Sequence, residues 1–197
     1  YNGNLGIAIF LEAYGKVFKN NNAKKYAYKS VRNIIENIRL NNKTNFLQNQ
    51  SIGGLVGLGS LIYGFCALYN IGKKKIYLNT SLSILKKIDL EQINKDKSLD
   101  ILDGVSGLIL SLIYMNKISK NPIIKKVLEH CGDYLINQPM LKYKGYKSWK
   151  SINISSSLPL TGMSHGASGF ALALYSLYNL IPKKKYYECL RDCFNYE

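Results

Sequence analysis

Two histidines occur in the 197 residues, and one, His165, stands in the string Gly162-Met163-Ser164-His165-Gly166-Ala167-Ser168-Gly169, just ahead of an apolar run. Imidazole titrates near neutrality, so at such a place it can take a proton from a nucleophile and return one to a product. A helix starting immediately after it favours the neutral form, as a base requires. The position also suits a loop histidine that merely caps the helix end. His130, the second, adjoins Cys131 on an amphipathic run, where Cys131 reads as a small apolar core residue rather than a ligand.

Asp100 and Asp103 precede Gly104. Three apart on one segment, they cannot flank a glycosidic bond, which sets carbohydrate-cleaving chemistry aside. Asp103 stands where a helix N-cap would, so either carboxylate, or neither, is functional on spacing alone. Cys189 and Cys193 are four apart and share a helical face. Two thiolates without a third ligand nearby fall short of a zinc site. Cys66, between Phe65 and Ala67, reads as core.

These residues hang on helices. Residues 44–72 carry no charge, and residues 151–182 carry none apart from His165. Once their Gly-, Ser- and Asn-rich loops are removed, each leaves an apolar segment of roughly 15 to 18 residues, at or below the length of a membrane helix, so helices buried in a protein core are expected. Between them lie amphipathic segments. Val31, Ile34, Ile35 and Ile38 share one face opposite Lys29, Arg32, Glu36 and Arg39, and Pro122 opens a run in which Ile123, Ile124, Val127, Leu128, Cys131, Tyr134 and Leu135 recur at helical steps. No run alternates as a strand does, so an all-α chain with at least seven helices and no sheet is predicted.

Gly-x-x-Gly followed by an apolar helix recurs at Gly3/Gly6, Gly54/Gly57, Gly104/Gly107 and Gly166/Gly169, at intervals of 51, 50 and 62 residues. A period near 50 marks stacked repeats. Uncharged helices must be covered on all sides and amphipathic ones on one side, which predicts two concentric layers: part of an α/α toroid, with the glycine turns gathered at one end around a cavity. Lys73–Lys75 and Lys183–Lys185 then occupy equivalent, solvated turns leading to outer helices.

The segments NGNLGIAIF (2–10), GGLVGLGSLIYGF (53–65), LDILDGVSGLILSL (99–112) and PLTGMSHGASGFALALYSLY (159–178) together resemble the lanthionine synthetase cyclases. With Trp149 upstream and Asn195-Tyr196-Glu197 downstream, the last string is most like the C-terminal cyclase domain of class II, bifunctional lanthipeptide synthetases. The resemblance implies a double-layer helical barrel of seven inner and outer helix pairs, of which residues 1–197 form about four as a single, truncated domain. It implies a zinc-assisted addition of peptide cysteine thiols to dehydroalanine or dehydrobutyrine, giving lanthionine or methyllanthionine rings in a precursor peptide with a leader and a Ser/Thr/Cys core. His165 then matches the catalytic histidine, and Asp100 the acidic residue that orients it. The family's zinc ligands, in Trp-Cys and Cys-His-Gly motifs, have no match here and are expected beyond Glu197. A dehydratase domain preceding Tyr1 is also implied. The alternative of a different class is a non-catalytic, peptide-binding scaffold toroid without zinc.

Composition narrows the partners. The formal net charge is +15, which alone points to nucleic acid or an anionic membrane. The basic residues, however, are 24 Lys and only 3 Arg, whereas base and phosphate recognition favours the bidentate guanidinium. Neither a nucleic-acid partner nor a membrane span is expected. Four cysteines without secreted-framework spacing, and no signal segment, make the reduced cytoplasm the default compartment.

Overall fold

A computed structural model describes residues 3–40, 45–152 and 155–197; Asn2, which opens the first glycine motif, lies outside them. The chain divides into two units, residues 1–50 with 61–88, and residues 51–60 with 89–197.

The first unit holds α1 (Asn4–Val17), α2 (Asn21–Arg39), α3 (Leu58–Gly72) from Leu61 onward, and α4 (Lys75–Lys86). Asn20 caps α2 by accepting from the Ala23 amide at 3.0 Å, which satisfies one of the helix's orphan donors. The expected face of α2 is the buried one: Val31, Ile35 and Ile38 are inside. In α3 the apolar residues Ile62, Phe65, Cys66 and Leu68 are buried. Helix α1, expected to be covered on all sides, departs from expectation, since Phe10 and Val17 stay 66% and 72% exposed while its one acidic residue, Glu12, is 1% exposed. Lys74 Nζ donates to Glu12 Oε2 at 2.9 Å and the Tyr77 hydroxyl donates to the same oxygen at 3.3 Å.

The second unit holds α5 (Leu90–Asn94), α6 (Val105–Ile118), α7 (Pro122–Ile136), β1 (Leu141–Tyr143), β2 (Tyr146–Ser148), α8 (Ala167–Leu180) and α9 (Lys184–Tyr196). Helix α7 starts as read: Asn121 accepts from Ile123 N at 2.9 Å and Pro122 occupies the first turn. The core is built from Val105, Leu108, Leu112, Leu128, Trp149, Phe170, Leu174 and Leu177. Lys183 is no free solvated turn, because its Nζ lies 2.8 Å from Glu129 Oε1 and 2.8 Å from Asp133 Oδ2. Lys74 and Lys183 thus each tie the start of an outer helix to an acidic residue of another helix.

The expectation of no sheet fails at one place. Strands β1 and β2 form an antiparallel hairpin with Tyr143 opposite Tyr146, joined by Lys144 (φ 48°) and Gly145 (φ 92°). Two successive left-handed residues make the type I′ turn that matches strand twist. Three-residue strands are too short to show a period of two.

Candidate active site

The glycine turns before α3, α6 and α8 share one backbone pattern. Each closes on itself by amides donating seven residues back: Ser60 to Gly53 O, Gly107 to Asp100 O, and Gly169 to Gly162 O. Aligned on these bonds, Gly57, Gly104 and Gly166 become equivalent, as residues immediately preceding α3, α6 and α8. The register of the second repeat is therefore Gly57-x-x-Ser60, not Gly54-x-x-Gly57. Ser60 there replaces the second glycine.

The turns also bond to one another. Gly54 N donates to Ile101 O at 2.9 Å, and Ile101 N donates to Ser164 O at 3.2 Å. A Cβ on Gly107 would collide with Ile101 O and Gly54 N, so glycine is needed there because backbone meets backbone. Gly57, at φ +99°, would also press a Cβ into Ser51 O. This stacking fixes the turns carrying Asp100 and Ser164-His165 beside each other.

On that frame Asp100 and His165, 65 residues apart, meet: His165 Nδ1 and Asp100 Oδ2 are 2.7 Å apart. Asp100 is 1% exposed, while the His165 side chain keeps 29% of its surface open. The carboxylate accepts on both oxygens. Ser151 Oγ donates to Oδ2 at 2.6 Å and the Asp103 amide donates to Oδ1 at 3.0 Å. An ionised carboxylate only accepts, so Nδ1 carries a hydrogen and Nε2 is left as the basic nitrogen. The imidazole is the exposed member and the carboxylate the anchored one.

Asp103 does not cap α6. The N-cap is Gly104, without a side-chain bond, and the carboxylate that accepts from the first helical amide is Asp96, whose Oδ2 lies 2.7 Å from Val105 N. Burial raises the Asp96 carboxyl above its ordinary range, although the amides of Val105, Ser98 and Leu99 oppose this; the charge on Asp100 adds to the rise. A cleft of about 650 Å³ runs beside Asp96, Tyr134, Lys150 and Ser151. It reaches neither Asp100 nor His165.

Two further contacts hold the His165 turn, and spacing gave no hint of them. Gly162 N donates to the Glu197 carboxylate at 3.0 and 3.1 Å, and the Tyr196 hydroxyl donates to Pro159 O at 2.9 Å. The cysteines stand apart from the site. Cys131 is buried, and its neighbour His130 bonds Asn94 Oδ1 through Nε2 at 2.8 Å. Burial pushes the Cys193 thiol up to about 12 and raises those of Cys66, Cys131 and Cys189. Such thiols are poor ligands and nucleophiles. Among the described residues no three His, Cys, Asp or Glu side chains are placed to hold a metal ion, so the zinc of the resemblance does not fit the residues described here.

A family model described as lanthionine synthetase C-like protein matches residues 1–197. The chain belongs to the lanthionine synthetase C-like family. No curated relative matches it. The all-α chain, with its one short hairpin among the described residues, agrees with the α/α toroid of the lanthionine synthetase C-like proteins. No described helix is long and apolar enough to cross a membrane.

Proposed function

We propose that this chain serves as part of a lanthipeptide cyclase, closing thioether rings in a ribosomally made precursor peptide. The observation that carries the reading is the buried Asp100 carboxylate bonded to the Nδ1 of a half-open imidazole. His165 Nε2 takes the proton of a peptide cysteine thiol. The sulfur forms a bond to Cβ of dehydroalanine or dehydrobutyrine, the carbon–carbon double bond opens to an enolate, and the imidazolium returns the proton to Cα. All atoms of the peptide are retained and nothing leaves. Asp100 stabilises the transient imidazolium and fixes its tautomer, which makes it a positioning residue.

The zinc that the resemblance implies would be held by chain beyond Glu197, and no step above runs through it. We place the chain with the class II synthetases on the string 159–178 and Trp149, and assign dehydration of the precursor to a domain preceding Tyr1. A cytoplasm that keeps thiols reduced suits a reaction whose nucleophile is a peptide cysteine. The test is to incubate the intact protein with its dehydrated precursor and then with a thiol-alkylating reagent that tags only uncyclised cysteines. Loss of tagging with time, read by mass spectrometry, supports a cyclase. Full tagging with retained peptide binding would make the chain a scaffold.

A further inference from the structure

The mechanism above uses Asp100 and His165 but leaves a third member of the same cluster without a role. Ser151 is 1% exposed, and its hydroxyl donates at 2.6 Å to Asp100 Oδ2, the very oxygen that faces His165 Nδ1. It sits in no helix or strand. The segment that carries it is nonetheless pinned residue by residue: Ser148 Oγ lies 3.9 Å from Cys193 Sγ, and Trp149 Nε1 donates to Gln138 O at 3.0 Å. The Trp149 ring also meets Phe170 edge-on, with centroids 5.4 Å apart. A loop anchored into the core by three contacts of two neighbouring side chains holds a hydroxyl in one place.

We infer that Ser151 is a positioning residue that, through Asp100, sets both the orientation and the basicity of His165. Two donors share one oxygen. The hydroxyl draws electron density from the carboxylate and turns the positive end of its dipole toward the imidazole, which keeps His165 from holding its proton too tightly. A base that binds the thiol proton too strongly is slow to hand it to the enolate. Ser151 is buried, so it touches no substrate and acts on turnover rather than on peptide binding. The other ionisable groups on the segments that bear or hold the site are Lys95, Asp96, Lys97 and Asp103 before α6, Lys147 and Lys150 ahead of Ser151, and Tyr196 and Glu197 against the His165 turn. All are common to wild type and variant.

The inference rests on the cyclase reading for its consequence in catalysis, but its test does not. With only His130 and His165 in the chain, ring-proton and ring-nitrogen resonances of the intact protein resolve both imidazoles, and His165→Asn assigns them. In Ser151→Ala the His165 midpoint should rise by roughly half a pH unit while that of His130 stays fixed. Ser151→Thr, which restores the hydroxyl, should return it toward wild type. In the ring-closure assay Ser151→Ala should lower kcat by roughly three- to tenfold with KM unchanged. An unmoved His165 titration in Ser151→Ala, or a shift that Ser151→Thr fails to reverse, would overturn the assignment. Should His165→Asn close rings as fast as wild type, the cyclase role of His165 fails, and the titration still decides the role of Ser151.

Discussion

Asp100 Oδ2 accepts from Ser151 and His165 at once while Oδ1 accepts from a backbone amide, so every conservative change at this carboxylate has a distinct cost. Asn in place of Asp100 must turn its NH₂ toward either the Asp103 amide or the Ser151 and His165 donors, and either choice sets donor against donor. Asp100→Asn should slow ring closure by roughly 10- to 100-fold, less than loss of the imidazole itself, as checked by the alkylation assay. Asp103→Asn should leave the rate within about twofold, since the main-chain amide of residue 103 is what bonds Asp100. His165 and Asp100 were legible as candidates from their residue types and from the family resemblance. Their partnership was not, because a bond spanning 65 residues leaves no local pattern. Ser151 was illegible for a plainer reason: one serine in a Ser- and Asn-rich stretch has no period or neighbour to mark it, and its role appears only when the turn before α6 brings Asp100 to it.

At the next scale, the helices were read correctly where apolar periodicity was long, as in α2 and α7, and the register of the glycine repeat was read three residues out in the second copy. The cause is physical. Gly53 and Gly54 are glycines because the neighbouring turn passes against them, and such a contact mimics a motif position. Gly107→Ala should therefore destabilise by about 3 kcal/mol through backbone overpacking, seen as a lower urea midpoint with the slope unchanged. The hairpin and α5 were missed because three and five residues are too few to carry a period.

Lys183 and Asp133, on the link between α7 and α9, give a pH prediction. Burial alone would raise the Asp133 carboxyl, but the bonds from Lys183 and Tyr186 outweigh it and hold the group below the ordinary carboxylate range. A depressed carboxylate stabilises the fold above its unfolded pKa, near 3.9, and that contribution is lost as pH falls through the lower folded value. The pair is about half exposed, so Asp133→Asn should cost only about 0.5–1 kcal/mol at pH 7. Thermal unfolding of variant and wild type should converge toward pH 2.

Over the whole molecule the charge is +15, carried almost entirely by lysine. Excess charge of one sign works against folding through self-repulsion, and salt screens it. Stability should rise when ionic strength goes from about 10 mM to about 0.5 M, measured as the urea midpoint. The anchored pair Lys74–Glu12, with Glu12 1% exposed, should be affected least, so Lys74→Ala should cost nearly the same at both salts. Composition made the charge legible and its lysine bias argued against nucleic acid. The division into two units was not legible, because it depends on which turns bond across the repeats.

His165 is the proposed proton carrier in ring closure, and early-time alkylation of the dehydrated precursor with intact wild type and His165→Asn tests that role. Because the imidazole is half open and not part of the core, the variant should fold as wild type does. It should form rings roughly 10²- to 10⁴-fold more slowly, the range for a lost general acid or base, leaving nearly all cysteines tagged while wild type leaves few. Equal tagging of the two at early times would return His165 to the role of a loop residue.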